Sequence, residues 1–167
     1  MLVGLSEEDR LTLFKKLYDE QNRHVRKTIY WMVGPENTDD LVQETFYKAW
    51  KSFNGFKGNS SKKTWMHRLA VNVAIDHLRK KKLVLIENIP EEASAPDPVE
   101  VREIISMALA NLSEKFRVCF VLYYKIGFTK EEISEIEEIP VGTVKSRLHT
   151  AKSQFIEYLK KHGVSYE

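Results

Sequence analysis

The chain has 167 residues, of which 43% are hydrophobic and 30% charged, so it is long enough for one domain or two small ones. It lacks both the roughly 18 uninterrupted apolar residues of a membrane span and the basic start and apolar core of a secretory signal. Its only cysteine, Cys119, lies between Val118 and Phe120, which excludes a disulfide framework and favours a buried thiol. We therefore expect a cytoplasmic protein.

The net charge of +2 conceals a strong segregation of charge along the chain. Residues 62–82 carry a net charge of +6 and residues 141–162 carry +4, whereas residues 83–103 carry −5 and residues 129–139 carry −4. Two basic blocks separated by acidic ones indicate two places that contact phosphate. Solvated helix faces would give the same pattern, so charge alone leaves both interpretations open.

Apolar periodicity predicts three helices in the first half of the chain. Ser6, with an aspartate three residues later, predicts the start of a helix over 7–33, either continuous or broken once, which a Gly-Pro pair ends. Thr38 is the predicted cap of the next helix, whose apolar residues recur at three- and four-residue spacings as far as Phe53. A loop rich in glycine, asparagine and serine follows, and the third helix runs to about residue 82.

The chain changes character after residue 82. The stretch that ends at Pro98 contains three prolines, no glycine and no amphipathic period, which predicts a flexible linker over 83–97. We expect its carboxylates to repel DNA or to cover the basic faces. No strand pattern is present. The sequence therefore predicts an all-α protein with two small helical domains, 1–82 and 98–167, joined by this linker.

The second half has clear helix-start signals. Asp97 before a proline predicts one cap, Ser113 predicts another, and Thr129 with Glu132 predicts a capping box. Gly163 is the expected stop of the last helix. The predicted helices are 98–111, 114–125, 130–137 and 141–161.

The last two predicted helices are typical of a helix-turn-helix. A short helix is followed by a turn at Glu138, Ile139 and Pro140, and the longer helix must turn its apolar stripe inward. Short hydroxyls on its outward face suit phosphates, and basic side chains reach phosphates or guanine edges. An ordinary amphipathic hairpin is the alternative. The outward residues are Lys145, Ser146, Arg147, His149, Thr150 and Lys152.

Two further segments carry polar faces. The second helix presents an acidic face from Asp39 onward, which either stabilises the helix dipole or forms a docking surface for a basic partner. The segment from Phe53 to residue 82 mixes aromatics, small polar residues and cations, which suits single-stranded nucleic acid, although Trp65 is better explained as core. Asn72 lies between Arg68 and Arg79 on the polar face of the third helix.

The sequence gives no support for metal or enzyme chemistry. His67 and His77 are separated by about 15 Å of helix rise, too far to share an ion. No triad order and no glycine-rich phosphate cradle is present. We expect no enzymatic activity, no cofactor, no metal and no small-molecule substrate.

These segments together resemble a known family. The sequences TDDLVQETFYKAW and TWMHRLAVNVAIDHLRKKK resemble region two of the extracytoplasmic-function (ECF) sigma factors, sigma-70 family subunits of bacterial RNA polymerase. The sequence from ALANLSEKF to SRLHTAK resembles their region four, and the likeness covers roughly residues 10–160. The resemblance implies a transcription-initiation factor that binds core RNA polymerase, directs it to promoters and assists melting of the −10 region. The implied partners are core polymerase, promoter DNA and an anti-sigma factor, soluble or membrane-bound.

The resemblance also implies a role for each of three groups of residues. The group that would bind core polymerase comprises Asp39, Asp40, Leu41, Gln43, Glu44 and Tyr47. The group that would meet the −10 element comprises Phe56, Lys57, Asn59, Ser60, Ser61, Lys63, Arg68, Asn72 and Arg79. The group that would enter the −35 major groove comprises Thr143, Lys145, Ser146, Arg147, His149 and Lys152.

Three positions depart from the family pattern. Glu138 stands where the family often has a glycine, so either its φ is positive and strained or the turn differs. Lys62 replaces a common aromatic, and Val71 replaces a frequent polar residue. These departures leave the promoter sequence open. The alternative functions are a helix-turn-helix regulator that is not a polymerase subunit, and a protein-interaction module; the segment 38–82 argues against the former, and the two basic faces argue against the latter.

Overall fold

A computed structural model describes residues 6–56, 58, 60–84 and 98–164, with the backbone alone for residues 81–84 and 98–102. Within these ranges all regular structure is helical, which confirms the predicted fold class. Helices α1 to α3 form an N-terminal unit and helices α4 to α7 form a C-terminal unit. No helix in the described ranges combines the length and the apolar character that crossing a membrane requires.

The N-terminal unit contains α1 (Glu7–Val33), α2 (Thr38–Ser52) and α3 (Lys62–Val84), with a 3-10 turn after α2 (Phe53–Gly55). Helix α1 is continuous, and the predicted cap is present because the Ser6 hydroxyl accepts the Asp9 backbone N–H. The helix ends at Gly34, whose φ of 88° is a conformation that glycine adopts without strain.

The predicted cap of α2 is wrong by one residue. Asn37 occupies the N-cap position and makes no side-chain capping bond. Thr38 is the first helical residue, and its hydroxyl donates to the Gly34 carbonyl at 2.7 Å. The buried Thr38 therefore joins the end of α1 to the start of α2, because its hydroxyl donates to a carbonyl that has no hydrogen-bond partner within α1.

The C-terminal unit contains four helices, three of which have the predicted bounds, whereas the helix predicted over 114–125 is α-helical only as far as Phe120. They are α4 (Pro98–Asn111), α5 (Glu114–Phe120), α6 (Lys130–Glu137) and α7 (Val141–Lys161), with a π-helical turn after α5 (Val121–Ile126). The capping box of Thr129 and Glu132 is confirmed in both directions. Ser113 occupies its cap position without a side-chain bond, and Gly163 follows α7 with a φ of 75°. Asp97 lies outside the described residues.

Two apolar clusters hold the helices together. The first lies among α1, α2, the turn after α2 and α3, and it includes the fully buried Phe53 and Met66. The second is built on the C-terminal helices but also includes Met32, Val71 and Ala74 from the N-terminal unit. The two units therefore share buried apolar surface, and they pack on one another.

Arg117 reinforces this packing from inside. Its side chain is buried and donates to the backbone carbonyls of Met32 at 3.1 Å, Ala110 at 2.6 Å and Leu112 at 3.1 Å. Burial lowers the pKa of the guanidinium, and the Glu114 carboxylate acts in the opposite direction. The three hydrogen bonds offset the cost of burying the charge and join the end of α1 to the end of α4.

Helix α3 continues to Val84, two residues past the end predicted for the third helix and so into the segment predicted as the linker. Residues 85–97, which make up most of it, lie outside the described residues.

Candidate polymerase-binding and DNA-binding surfaces

Helix α2 exposes an acidic face. Asp39, Asp40, Gln43, Glu44 and Tyr47 are all exposed, as the amphipathic pattern predicts. Asp39 pairs with Arg26, and Glu44 pairs with Lys48 at 2.8 Å along the helix. Asp40 makes no ion pair within the described ranges, so its charge remains open to a basic partner.

Leu41 and Tyr47, also on α2, each contact defined neighbours. Leu41 is buried in the N-terminal core, so its contribution is to hold α2 against α1 and α3. The Tyr47 ring is exposed and carries the Lys51 ammonium 4.6 Å from its centroid. The accessible surface of α2 therefore carries carboxylates and an amide around one aromatic ring, with Lys48 and Lys51 beside them.

The aromatic side chains of the loop between α2 and α3 are partly buried. Phe56 is half-buried and packs on Trp65 with 5.0 Å between ring centroids, and Trp65 packs in turn against the core. The Ser61 hydroxyl accepts the Thr64 backbone N–H at 3.0 Å and so caps α3. Ser60 is half-buried, and Lys57 and Asn59 lie outside the described residues.

The basic face of α3 is directed toward the C-terminal unit. The Arg68 guanidinium lies 2.8 Å from the Glu138 carboxylate and also donates to the Glu135 carbonyl at 2.5 Å. Asn72 is exposed between the basic residues. Within the described residues, two further ion pairs join the units, Lys63 with Glu132 at 3.6 Å and Arg79 with Glu114 at 3.1 Å.

His67 is a buried residue of this interface. Its ring packs edge-on against Phe128 with 4.7 Å between centroids, and its Nδ1 lies 2.8 Å from the Lys63 carbonyl, to which it donates. Burial lowers the pKa of His67 to about 4, and the hydrogen bond to the Lys63 carbonyl opposes this effect. The ring is therefore neutral at pH 7. No cluster of three metal-ligating side chains occurs in the part of the chain that the structure describes.

The turn of the helix-turn-helix contains a strained residue. Glu138 has a φ of 55° and a ψ of 42°, so the first of the two expected outcomes at this position is correct. Two hydrogen bonds close the turn. The Ile139 backbone N–H donates to the Ser134 carbonyl at 3.1 Å, and the Ser134 hydroxyl donates to the Ile139 carbonyl at 2.5 Å. The geometry typical of glycine is thus retained with a glutamate in its place.

Helix α7 presents most of the predicted residues to solvent. Lys145, Ser146, His149 and Lys152 are exposed, whereas Thr143 is half-buried. The Ser146 hydroxyl donates to the Thr143 carbonyl at 3.0 Å. The exposed residues form a polar, basic stripe opposite the buried side of the helix.

Arg147 differs from the other residues of this stripe. Its side chain is 22% exposed and lies 3.6 Å from the Glu137 carboxylate, which is 13% exposed. Burial raises the pKa of Glu137, and the Arg147 charge opposes this effect. Burial likewise raises the pKa of the neighbouring Cys119 thiol to about 11, in agreement with the predicted core role of that cysteine. Arg147 is thus already partnered within the C-terminal unit.

Sequence patterns did not identify the acidic side of the contact between the units. Glu114, Glu132 and Glu138 each pair with a cation of α3. For Glu132 and Glu138 the available signal was the charge of −4 over residues 129–139, which does not reveal the basic segment that they meet.

Two family matches cover most of the described chain. The sigma-70 region 2 family matches residues 17–84, and the sigma-70 region 4 family matches residues 102–155. The first match contains the acidic face of α2 and the basic face of α3, and the second contains the helix-turn-helix.

Individual proteins agree with these matches. The chain is 33% identical to the ECF RNA polymerase sigma-E factor of Escherichia coli (strain K12), over 91% of this chain and 89% of that protein. It is 29% identical to the ECF RNA polymerase sigma factor SigW of Bacillus subtilis (strain 168), over 88% and 89% of the two chains.

Solved structures share the fold. The sigma factor RpoE from Bartonella quintana, in complex with the anti-sigma factor NepR, superposes with a TM-score of 0.71 and 26% identity, over 88% of this chain and 96% of that one. CnrH in complex with the cytosolic domain of CnrY gives a TM-score of 0.73 over 96% and 92% of the two chains, but at 19% identity it shows the fold alone.

The matched regions and the paired helical units define a sigma factor of the sigma-70 class. Within this class, the chain belongs to the ECF sigma factors.

Proposed function

We propose that this chain is an alternative sigma factor that binds core RNA polymerase, directs it to a specific set of promoters and assists melting of the −10 region. The observation that carries this proposal is the presence, in one chain, of an exposed acidic face on α2, a basic face on α3 and a helix-turn-helix with a basic outward stripe on α7. We divide the chain into a region 2 domain (1–82), a linker (83–97) and a region 4 domain (98–167).

The acidic face of α2 is the proposed docking surface for core polymerase. Asp40 and Gln43 project from a helix whose other face is fully committed to the core, so substitution there changes the surface and leaves the packing intact. Leu41 would act by holding the helix in place. The exposed contact residues would be Asp39, Asp40, Gln43, Glu44 and Tyr47.

The loop before α3 and the polar face of α3 are the proposed contact with the −10 strand. Cations along a helix suit the phosphates of a single strand, and an aromatic such as Phe56 can stack on a base. Asn72 is exposed between Arg68 and Arg79, where its amide can hydrogen-bond base edges. Lys57, Asn59, Ser60, Ser61 and Lys63 complete the proposed group.

Helix α7 is the proposed recognition helix for the −35 element. Lys145, Ser146, His149 and Lys152 point outward together, which is the arrangement of a helix that lies in the major groove. Thr143 lies at the start of this helix, where backbone N–H groups also favour a phosphate. Arg147 belongs to the proposed group, but it would have to exchange Glu137 for DNA.

The proposed activity is binding and strand separation without catalysis of its own, in the cytoplasm, where polymerase acts. An anti-sigma factor is a proposed partner, because the RpoE structure of similar fold is a complex with the anti-sigma factor NepR. A helix-turn-helix regulator independent of polymerase is not favoured, since such a protein has no need of the α2 and α3 surfaces.

Transcription in vitro tests the proposal. Core RNA polymerase is combined with the purified chain and a library of promoter fragments, and the transcripts are sequenced. We expect a small set of promoters to be transcribed only when the chain is present, and to share two sequence elements at a fixed spacing. Transcript profiles identical to those of core polymerase alone would contradict the proposal.

A further inference from the structure

We propose that Glu137 controls how strongly Arg147 contributes to the −35 contact, because the Glu137 carboxylate competes with DNA for the Arg147 guanidinium. Glu137 need not touch the DNA, so it is a positioning residue that acts through Arg147. This inference rests on the proposed function, since it requires α7 to be the helix that binds the −35 duplex.

The ion pair between Glu137 and Arg147 joins the two helices of the helix-turn-helix. Glu137 is the last residue of α6, and Arg147 lies in the second turn of α7. Their side chains are 13% and 22% exposed, whereas Lys145 and His149 on the same stripe are exposed. The charge of Arg147 is therefore already compensated inside the protein, at the base of the basic stripe.

The lysines of the stripe are not held in this way. Within the described residues, Lys145 and Lys152 make no ion pair, and both side chains are exposed. They can contact phosphates without first leaving a partner in the protein. Arg147 must give up Glu137 before it contacts DNA, so the free energy that it gains from DNA is reduced by that of the pair.

The geometry of the pair allows it to open. The Arg147 Nη1 and Glu137 Oε2 atoms lie 3.6 Å apart, beyond the range of a good hydrogen bond. The contact is therefore electrostatic and lacks the two parallel hydrogen bonds that make an arginine–carboxylate pair strong. A phosphate or a guanine edge accepts such hydrogen bonds. Transfer of the guanidinium to DNA thus forms contacts that Glu137 does not provide.

This transfer would leave the Glu137 carboxylate without its partner. Burial raises the pKa of Glu137, since the carboxylate is poorly solvated there, and the Arg147 charge opposes this effect. The neighbouring Cys119 thiol on α5 cannot replace the lost cation, because it is neutral, with a pKa that burial raises to about 11. An unpaired, partly buried carboxylate is unfavourable, and uptake of a proton by Glu137 would relieve this.

Competition by Glu137 predicts two properties of −35 binding. Affinity is lower than the cations of α7 alone would give, because part of the favourable contact with DNA is offset by separation of the pair. Binding is also coupled to proton uptake, because Arg147 keeps Glu137 ionised in the free protein and leaves it in the complex. The penalty from Glu137 should therefore decrease as the pH falls.

A double-mutant cycle in the full-length chain tests the competition. The probe is a fluorescein-labelled duplex that the wild-type chain enriches from random sequence, and affinities are measured by anisotropy. Glu137→Gln keeps the size of the side chain and removes its charge, so we expect it to bind the probe about three- to tenfold more tightly than the wild type. In an Arg147→Ala background the same substitution should tighten binding less, because only repulsion between the carboxylate and DNA is then removed.

Glu135→Gln is the matched control, since it removes one negative charge from an exposed position of the same helix. It should change the affinity by less than about twofold. Equal tightening by Glu137→Gln with and without Arg147 would overturn the proposal, because Glu137 would then act through its charge alone. Unchanged or weaker binding by Glu137→Gln, with thermal unfolding that shows a folded variant, would overturn it as well.

The pH dependence of binding is a readout that a merely structural role of Glu137 would not change. Between about pH 7.5 and about pH 5.5 the advantage of Glu137→Gln over the wild type should shrink, because a protonated glutamate releases Arg147 as glutamine does. Arginine keeps its charge throughout this range, and any contribution from the exposed His149 is common to both proteins. A constant advantage would overturn the coupling to proton uptake.

The transcription assay decides the sigma function separately, because it uses the wild-type chain with core polymerase and does not depend on Glu137. A cycle that behaves as predicted, together with no promoter-specific transcripts, would support the competition and contradict the sigma function. If the wild-type chain enriches no duplex from random sequence, α7 is not a DNA-binding helix, and the role of Glu137 is overturned with it.

Discussion

The Arg68 guanidinium meets the Glu138 carboxylate at 2.8 Å across the interface between the two helical units. Arg68 belongs to the basic face of α3, and Glu138 is the one described non-glycine residue with a positive φ. A residue of the proposed −10 surface and a residue of the helix-turn-helix turn therefore bind one another in the free chain.

Substitution of Glu138 separates backbone strain from the ion pair. Glu138→Gly and Glu138→Gln both remove the carboxylate, but only glycine relieves the left-handed conformation. We expect the glycine variant to be about 1–2 kcal/mol more stable than the glutamine variant. Urea unfolding of the two full-length variants measures the difference, and equal stabilities would show that the turn relaxes without glycine.

The α2 surface predicts a selective loss of polymerase binding. Asp40→Arg and Gln43→Ala should weaken association with core polymerase and leave the fold intact, because both side chains are exposed. Asp40→Arg should also lower the free energy of unfolding by about 0.3–1 kcal/mol, because it removes a favourable charge from the first turn of α2. Asp19→Arg, an exposed acidic residue on α1, is the control with the same change of charge. Co-purification of Asp40→Arg with core at the level of the control would show that polymerase docks elsewhere.

Lys145 and Arg147 should behave differently although both lie on α7. Lys145→Ala should weaken binding to a −35 duplex and, if the contact is to phosphate, reduce the salt slope by about 1, with little change in stability. Arg147→Ala should also lower the free energy of unfolding by about 1–3 kcal/mol, because Glu137 loses its partner in a buried site.

These two variants are compared in the full-length protein by fluorescence anisotropy with the duplex and by urea unfolding. Duplex binding and salt dependence unaltered in both variants would exclude α7 as the recognition helix. An Arg147→Ala variant that is as stable as the wild type would exclude a structural role for the ion pair between Arg147 and Glu137.

His67 predicts a loss of stability on acidification. Its pKa is about 4 in the folded protein, below the ordinary value of 6.5, so the folded state disfavours the protonated ring. As the pH falls from about 6.5 toward 4, the unfolded chain takes up a proton that the folded chain does not, and stability decreases over this window. At pH 5 the loss attributable to His67 is about 1–2 kcal/mol.

The test compares urea unfolding at pH 7.5 and pH 5. The variant His67→Gln should lose less stability between these pH values than the wild type does. His149→Gln, at an exposed position on α7, should keep the wild-type dependence. An identical dependence in His67→Gln and the wild type would show that folding does not lower the pKa of His67.

Local sequence signals predicted the helices and several of their ends. The capping box of Thr129 and Glu132 is confirmed because its hydrogen bonds join residues only three apart. The cap of α2 was misplaced because Thr38 satisfies a carbonyl of the preceding helix in place of capping its own. Amphipathic periodicity also predicted the exposure of Asp40 and Lys145 correctly, since one helix face decides it.

Local sequence signals could not predict the contact between the two helical units. Arg68 and Glu138 are 70 positions apart, and either could have been a solvated surface charge. The acidic linker was expected either to repel DNA or to cover the basic faces, and residues 85–97 lie outside the described residues. The carboxylates that the structure places against α3 come from α5, α6 and the turn after α6. Burial of Arg117 depends on three carbonyls that only the folded chain brings together.

Permanganate reactivity of promoter thymines tests the central claim most directly, because it reports strand separation at defined positions. On a promoter recovered from the transcription assay, we predict reactive thymines in the −10 region only when core polymerase and this chain are both present. Asn72→Ala and Phe56→Ala should diminish this reactivity more than they diminish binding of the holoenzyme to duplex. No reactive thymines with both proteins present, or the same reactive thymines with core polymerase alone, would contradict the assignment as a promoter-opening sigma factor.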